Sequence, residues 1–146
     1  MCGINWRWRE WVIVFPLSSL DIKIPGPDHP ITITSSGDHV VVRSGGATIA
    51  DSRSTLVLRE ANYPPVRYIP IADVDQSRLA ASELTTYCPY KGEASYHSID
   101  ADVERGADAV WFYTDPHQAV AEIKDHVAFY TDRVDLSVEE ADGAAG

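Results

Sequence analysis

The sequence is poor in cysteine, and this limits both disulfides and metal sites. Only Cys2 and Cys88 occur in 146 residues. Because Cys2 stands near the terminus, we expect no structural disulfide and a reducing compartment, the cytoplasm. A structural zinc site needs four converging ligands. Two distant cysteines and five dispersed histidines do not supply them, so we expect no metal site.

Basic residues and long apolar runs are also scarce. The chain has 12 lysines and arginines against 22 aspartates and glutamates, a net charge of −10. So acidic a chain, with no local basic cluster, is repelled by phosphate backbones, which argues against a nucleic-acid partner. No run approaches the roughly 20 apolar residues of a membrane span. We therefore expect neither a nucleic acid nor a membrane as a partner.

The short motifs of common cofactor and catalytic sites are missing as well. The sequence contains no G-x-G-x-x-G, no G-x-x-x-x-G-K-[ST] and no G-x-S-x-G. These motifs serve dinucleotide binding, nucleotide phosphate binding and serine nucleophiles respectively. We therefore expect no cofactor.

What the sequence does contain is enough apolar material for one core, arranged with the two-residue period of strands. Hydrophobic residues make up 45% of the chain, an ordinary value for a globular domain. Short alternating segments follow one another with turn signals between them. They lie at 31–34, 40–43, 47–50, 56–59, 66–69, 93–99, 109–114 and 127–130.

These segments predict a mostly β fold, an antiparallel sheet bent on itself. The first two segments flank a Ser-Ser-Gly-Asp turn signal and predict a hairpin. Residues 72–81 predict one short helical turn. Asp115 and Pro116 are typical of a helix start, so one short helix is expected near 116–125.

The two ends differ from the rest of the chain. Residues 1–21 hold three of the four tryptophans, and an interrupted apolar run follows two arginines. We interpret them as an extension outside the fold; an extra edge strand and a membrane-surface anchor are the alternatives. Residues 135–146 are acidic with no basic residue, typical of a disordered tail. The single β domain is therefore expected at 22–134.

The segment 85–92 concentrates the most chemistry, with a thiol, an ammonium and two phenols. If Lys91 lies near the sulfur of Cys88, it favours the thiolate and makes it a nucleophile. The alternative is structural, because a lone cysteine is most often a buried apolar group and a lysine a solvated charge. Similarly, Glu60 is either a carboxylate at a pocket rim or a surface charge at a strand end.

Several blocks of the sequence resemble the domain of unknown function 427 family. The blocks are IPGPDHPI (24–31), ADS (50–52), PVRYIP (65–70), TTYCPYKG (85–92) and VAFY (127–130). The resemblance covers about residues 22–134, and the block at 85–92 is its most specific part. It implies a β-tent type of fold, a bent antiparallel sheet.

The resemblance implies little about chemistry. Relatives of that fold carry paired cysteines for zinc or for methionine-sulfoxide reduction, and this chain lacks them. The family carries a nucleotidyltransferase-like label. Nothing in this sequence supports that label, because the paired metal-binding carboxylates on a Gly-Ser strand are missing. Motif matching and residue chemistry place a shared pocket on seven residues: Glu60, Tyr68, Tyr87, Cys88, Lys91, Tyr96 and Trp111.

Three functions follow as hypotheses. The first is a domain that binds a small molecule in a pocket bordered by residues 85–92, with aromatic walls and a few polar groups. The second is an enzyme that uses Cys88 or Lys91 as nucleophile or base. The third is a protein-interaction module with an exposed strand edge.

Overall fold

Ten strands build the fold, and the computed structural model describes residues 21–140. The strands are β1 (Ile31–Ser36), β2 (His39–Ser44), β3 (Ala47–Ser52), β4 (Thr55–Glu60), β5 (Val66–Pro70), β6 (Leu79–Cys88), β7 (Gly92–Ile99), β8 (Val110–Tyr113), β9 (His126–Phe129) and β10 (Asp135–Glu139). Residues 1–20, assigned to the extension, lie outside the described residues, so that assignment stays a prediction.

All strand pairs are antiparallel, and they form two sheets. Seven strands follow the order β1-β4-β5-β9-β8-β7-β6, and three follow the order β10-β2-β3. The mostly β, antiparallel fold expected from the alternating segments is therefore confirmed.

Two apolar clusters lie on opposite faces of the larger sheet. One joins that sheet to the three-stranded sheet through residues such as Val42, Ile69 and Val110. The other collects Leu58, Tyr68 and further aromatic residues on the opposite face. Successive side chains of a strand point to opposite faces. Since β8 is apolar at every position, it contributes to both clusters.

Within residues 21–140, the helical content is limited to 3-10 turns. They are Ile71–Asp73, Gln76–Arg78 and Gln118–Ile123, and none has the length or apolar character of a membrane-spanning helix. The last one is the short helix expected near 116–125. It is interrupted at Val120, whose backbone is not helical, and it starts at His117 without a side-chain cap, so the cap expected at Asp115 is wrong.

The hairpin expected between the first two strands is also wrong. β1 pairs with β4, whereas β2 pairs with β3 and β10, so the chain passes from one sheet to the other between Ser36 and His39. A turn signal reports a change of direction but does not say which strand the chain joins next.

Two further strands appear where other structure was expected. β6 spans ten residues up to Cys88 at the edge of the larger sheet. β10 pairs with β2 in the region assigned to the acidic tail, so that tail does not begin at residue 135. In β10, Asp135 lies opposite Arg43 and Glu139 opposite His39, which balances its negative charge.

Candidate functional site

A buried ion pair joins two distant parts of the chain. The Nζ atom of Lys91 lies 2.5 Å from Oε1 of Glu60, and both side chains are less than 5% exposed. The second carboxylate oxygen, Oε2, lies 2.7 Å from Nε2 of His29. We call His29, Glu60 and Lys91 the charged triad.

Curvature of the larger sheet brings Glu60 and Lys91 together. Glu60 ends β4, and Lys91 lies in the turn between β6 and β7. Four strand spacings separate β4 from β7 in the sheet order, which is about 19 Å in a flat sheet. A contact between the two side chains therefore requires the sheet to bend around the face that carries them.

The backbone around Lys91 is held on both sides. Its amide donates to the carbonyl of Cys88, and its carbonyl accepts from the amide of His117. Gly92 follows with a φ of +114°, and a side chain there would meet Asp115 and the ring of His117. Glycine is therefore the residue that this turn accommodates without strain.

His29 reaches Glu60 because of the register of β1 on β4. Ile31 lies directly opposite Glu60, and His29 precedes Ile31 by two residues. Its ring stacks on Tyr90 at a centroid distance of 4.0 Å and meets the edge of Tyr63. With a side chain 22% exposed, His29 is the member of the triad that reaches the surface.

The charges of the triad follow from burial and from the neighbours. Burial acts to raise the pKa of Glu60, but Lys91 and His29 outweigh it and hold the pKa below its ordinary value. Burial lowers the pKa of the Lys91 ammonium, and the Glu60 carboxylate opposes part of that change. The Lys91 ammonium therefore gives up its proton more readily than an exposed lysine does.

A cluster of buried phenols lies close enough to Glu60 for two of them to feel its charge. Tyr68, Tyr96 and Tyr113, which we call the tyrosine cluster, are each at most 2% exposed. Burial raises the pKa of Tyr68 and of Tyr113, and the charge of Glu60 adds to both changes. The hydroxyls of Tyr68 and Tyr113 therefore remain protonated.

The hydroxyls of the tyrosine cluster differ in their partners. Tyr68 accepts a hydrogen bond from the indole of Trp111 at 3.3 Å, and Tyr96 bonds to Thr86 at 2.9 Å. Within residues 21–140, the buried hydroxyl of Tyr113 has no hydrogen-bond partner. An unsatisfied buried hydroxyl is costly, so this group is available to a ligand or a water molecule.

Of the seven residues predicted to share a pocket, the structure brings five to one face of the larger sheet. These five are Glu60, Tyr68, Lys91, Tyr96 and Trp111. Tyr87 points away from them: its hydroxyl donates to the carbonyl of Asp21, and its ring edge meets His117. The seventh residue, Cys88, is fully buried.

The expectation that the chain forms no disulfide is wrong for Cys88. Its sulfur is disulfide-bonded and is therefore not a thiol. The other cysteine of the chain, Cys2, lies outside the described residues. The thiolate chemistry considered for Cys88 is thus not available in this structure.

Sequence reasoning missed His29 and Tyr90 as members of this site, and Tyr113 is not among the seven residues predicted to share the pocket. His29 lies in one of the blocks that carry the family resemblance, but its partner Glu60 is 31 positions away. Nothing local marks that pairing. Glu60 is not the surface charge of the alternative interpretation, since it is 3% exposed and bonded on both oxygens.

Two other features of the described residues bear on ligand binding. An open depression of about 500 Å³ lies between β2 and β10, with Arg43, Val134 and Leu136 in its lining, and includes no residue of the predicted site. No group of three histidine, cysteine, aspartate or glutamate side chains in residues 21–140 has an arrangement suited to a metal ion. The absence of a metal and of a cofactor stays a prediction.

Comparison with known proteins identifies a family. A family model described as "Domain of unknown function (DUF427)" matches residues 32–140. No curated protein matches the chain. The match covers most of the chain and includes β1 to β10 almost entirely, so this protein belongs to the domain of unknown function 427 family.

Proposed function

We propose that this domain binds a small molecule through the Lys91 ammonium, on the curved face of the larger sheet. The ligand carries an anionic or carbonyl oxygen for Lys91 and an apolar part for the surrounding aromatic rings. This is the composition usual for small-molecule sites, in which a few polar groups converge among apolar and aromatic walls.

The observation that carries the proposal is the incomplete pairing of a buried ammonium. An ammonium has three hydrogen-bond donors. Within residues 21–140, Glu60 is the one hydrogen-bond partner of the Lys91 ammonium, and the Lys91 side chain is 4% exposed. Buried charges are expensive unless they are fully bonded, so the two remaining donors are suited to an oxygen-bearing ligand.

The tyrosine cluster supports the same proposal independently. Tyr113 is another buried donor without a partner among the described residues, and the charge of Glu60 acts on it. A ligand with oxygens for both Lys91 and Tyr113 satisfies both groups. A purely structural ion pair explains the contact of Lys91 with Glu60 but leaves the Tyr113 hydroxyl unexplained.

Binding is tested with the full chain by two measurements. Native mass spectrometry of protein purified from cells looks for a retained small molecule. Titration with acetate, pyruvate and benzoate, followed by amide NMR, looks for shifts at Lys91 and Gly92. We expect a retained mass or saturable shifts at these amides.

Two variants and a control make the test specific. Lys91→Met and Tyr113→Phe are expected to weaken or abolish binding, whereas Lys124→Met, at an exposed lysine, leaves it unchanged. Tyr113→Phe preserves the ion pair and covers the case in which Lys91→Met does not fold. If wild-type protein retains nothing and none of the three probes shifts these amides, the proposal is wrong.

A further inference from the structure

We propose that Lys91 binds its ligand covalently, as an imine with an aldehyde or ketone, and that Glu60 moves the protons of this step. This inference rests on the proposed function, since it names the ligand class of the same site. It takes the ligand oxygen to be the carbonyl oxygen that is lost as water.

The geometry that supports it is a continuous proton path from a buried amine to the surface. Nζ of Lys91 lies 2.5 Å from one oxygen of Glu60, and the other oxygen lies 2.7 Å from Nε2 of His29. The His29 side chain is partly exposed. A proton taken from Lys91 by Glu60 can therefore be exchanged with solvent through the imidazole.

An amine nucleophile also needs the uncharged form, which the site favours. An exposed lysine with its ordinary pKa of about 10.4 is an amine in only about one molecule in a thousand at pH 7.4. Burial lowers the pKa of Lys91, and desolvated lysines are a known class of nucleophile. The chain contains two other lysines, Lys23 and Lys124, and both are exposed.

The proposed step balances without any oxidant, reductant or metal. Glu60 takes one proton from the ammonium, and the amine attacks the carbonyl carbon, so that a C–N bond forms and the C=O electron pair moves to oxygen. A second proton passes from nitrogen to that oxygen. Glu60 returns the first proton to the same oxygen, which leaves as water while the nitrogen lone pair completes the C=N bond. The third proton stays on the iminium nitrogen.

His29 acts on this step as a positioning residue. Its Nε2 hydrogen-bonds with the Glu60 oxygen that does not face Lys91, and the stack with Tyr90 fixes the plane of its ring. The carboxylate is thereby held with its other oxygen toward the amine. His29 does not itself touch the reacting atoms.

Reductive trapping tests the inference on the unmodified full chain. The protein is incubated with benzaldehyde or pyruvate and sodium cyanoborohydride, and peptide mapping by mass spectrometry locates the secondary amine. We expect Lys91 to be labelled at least tenfold faster than Lys23 and Lys124, and this preference to disappear in urea. Labelling of Lys91 no faster than that of the two exposed lysines would overturn the inference.

The role of Glu60 is tested by the pH profile of labelling. In Glu60→Gln the highest rate reached at any pH is expected to fall by about a hundredfold, the usual contribution of a general acid or base. The matched control Glu83→Gln, at an exposed glutamate, keeps the wild-type profile. If the Glu60→Gln profile shifts along the pH axis with its maximum unchanged, Glu60 acts only through its charge and its proton-transfer role is wrong.

Failure of the imine can be told apart from failure of binding. If acetate, pyruvate or benzoate shifts the amides at Lys91 while no secondary amine forms there with either carbonyl probe, binding stands and the imine is wrong. If neither shifts nor labelling are found, both proposals are wrong.

Discussion

Removing one partner of the buried pair between Lys91 and Glu60 is expected to cost a large part of the stability of this domain. Loss of one partner from a buried pair typically costs about 3–5 kcal/mol, because the other charge stays buried without compensation. In Lys91→Met, the Glu60 carboxylate keeps its 2.7 Å bond to His29, so we expect the lower end, about 3 kcal/mol. For a domain of this size that lowers the Tm by about 10 °C.

The double variant separates a specific pair from a general packing defect. Glu60→Gln alone leaves the Lys91 ammonium facing a neutral amide and is also expected to cost about 3 kcal/mol. In Lys91→Met with Glu60→Gln no buried charge is left without its counter-ion. The double variant is therefore expected to be about 1–3 kcal/mol more stable than the sum of the single effects implies.

The measurement is urea unfolding at pH 7 followed by far-UV circular dichroism, with the free energy of unfolding extrapolated to water. Lys124→Met is the control, because it removes an exposed lysine and is expected to change stability by less than about 0.5 kcal/mol. If Lys91→Met matches that control, or if the single effects simply add, Lys91 and Glu60 do not form a buried pair.

Three further predictions concern the same face of the sheet. Because its neighbours hold the pKa of Glu60 below its ordinary value of 4.5, the carboxylate contributes its full stabilisation above that pH and loses it as the pH falls through the lowered pKa. Below pH 4.5, the free energy of unfolding measured with urea is expected to fall more steeply with decreasing pH for the wild type than for Glu60→Gln. Equal slopes would contradict this. Tyr113→Phe removes a hydroxyl without a partner among the described residues. Thermal unfolding is therefore expected to show that this variant is as stable as the wild type or more stable by up to about 1 kcal/mol. Tyr68→Phe leaves a buried indole N–H unsatisfied and is expected to lower the stability by about 1–3 kcal/mol. Gly92→Ala places a side chain at a φ of +114° and is expected to cost about 1–3 kcal/mol, whereas Gly26→Ala, with open space around its Cα, is expected to change the Tm little.

Local alternation was enough to locate most strands, and it failed where little of a strand is buried. β8 and β4 carry apolar side chains that the core requires, so their patterns stand out in the sequence. β6 lies at a sheet edge with exposed Ala80, Ala81 and Glu83 among its residues. In β10 only Leu136 and Val138 alternate with acidic or small residues. An edge strand needs little apolar area, so its pattern is easily taken for a turn or a tail.

The candidate site was predicted in part by residue chemistry. Lys91 and Glu60 were noticeable because each stands beside apolar strands and blocks of family resemblance. Their contact was not predictable, because they are 31 positions apart along the chain and four strands apart in the sheet order. His29 was missed for the same reason, since its partner is also distant in sequence.

The sequence by itself determined the class of fold, the positions of most strands and the net charge of −10. Each of these depends on local periodicity or on summed charge, which are properties of the chain before it folds. Only the tertiary structure decided which strands pair, and how far the larger sheet bends. That bend places the ammonium of Lys91 against the carboxylate of Glu60 and removes both from water, because charges distant in sequence become a buried pair only when the surrounding strands close over them.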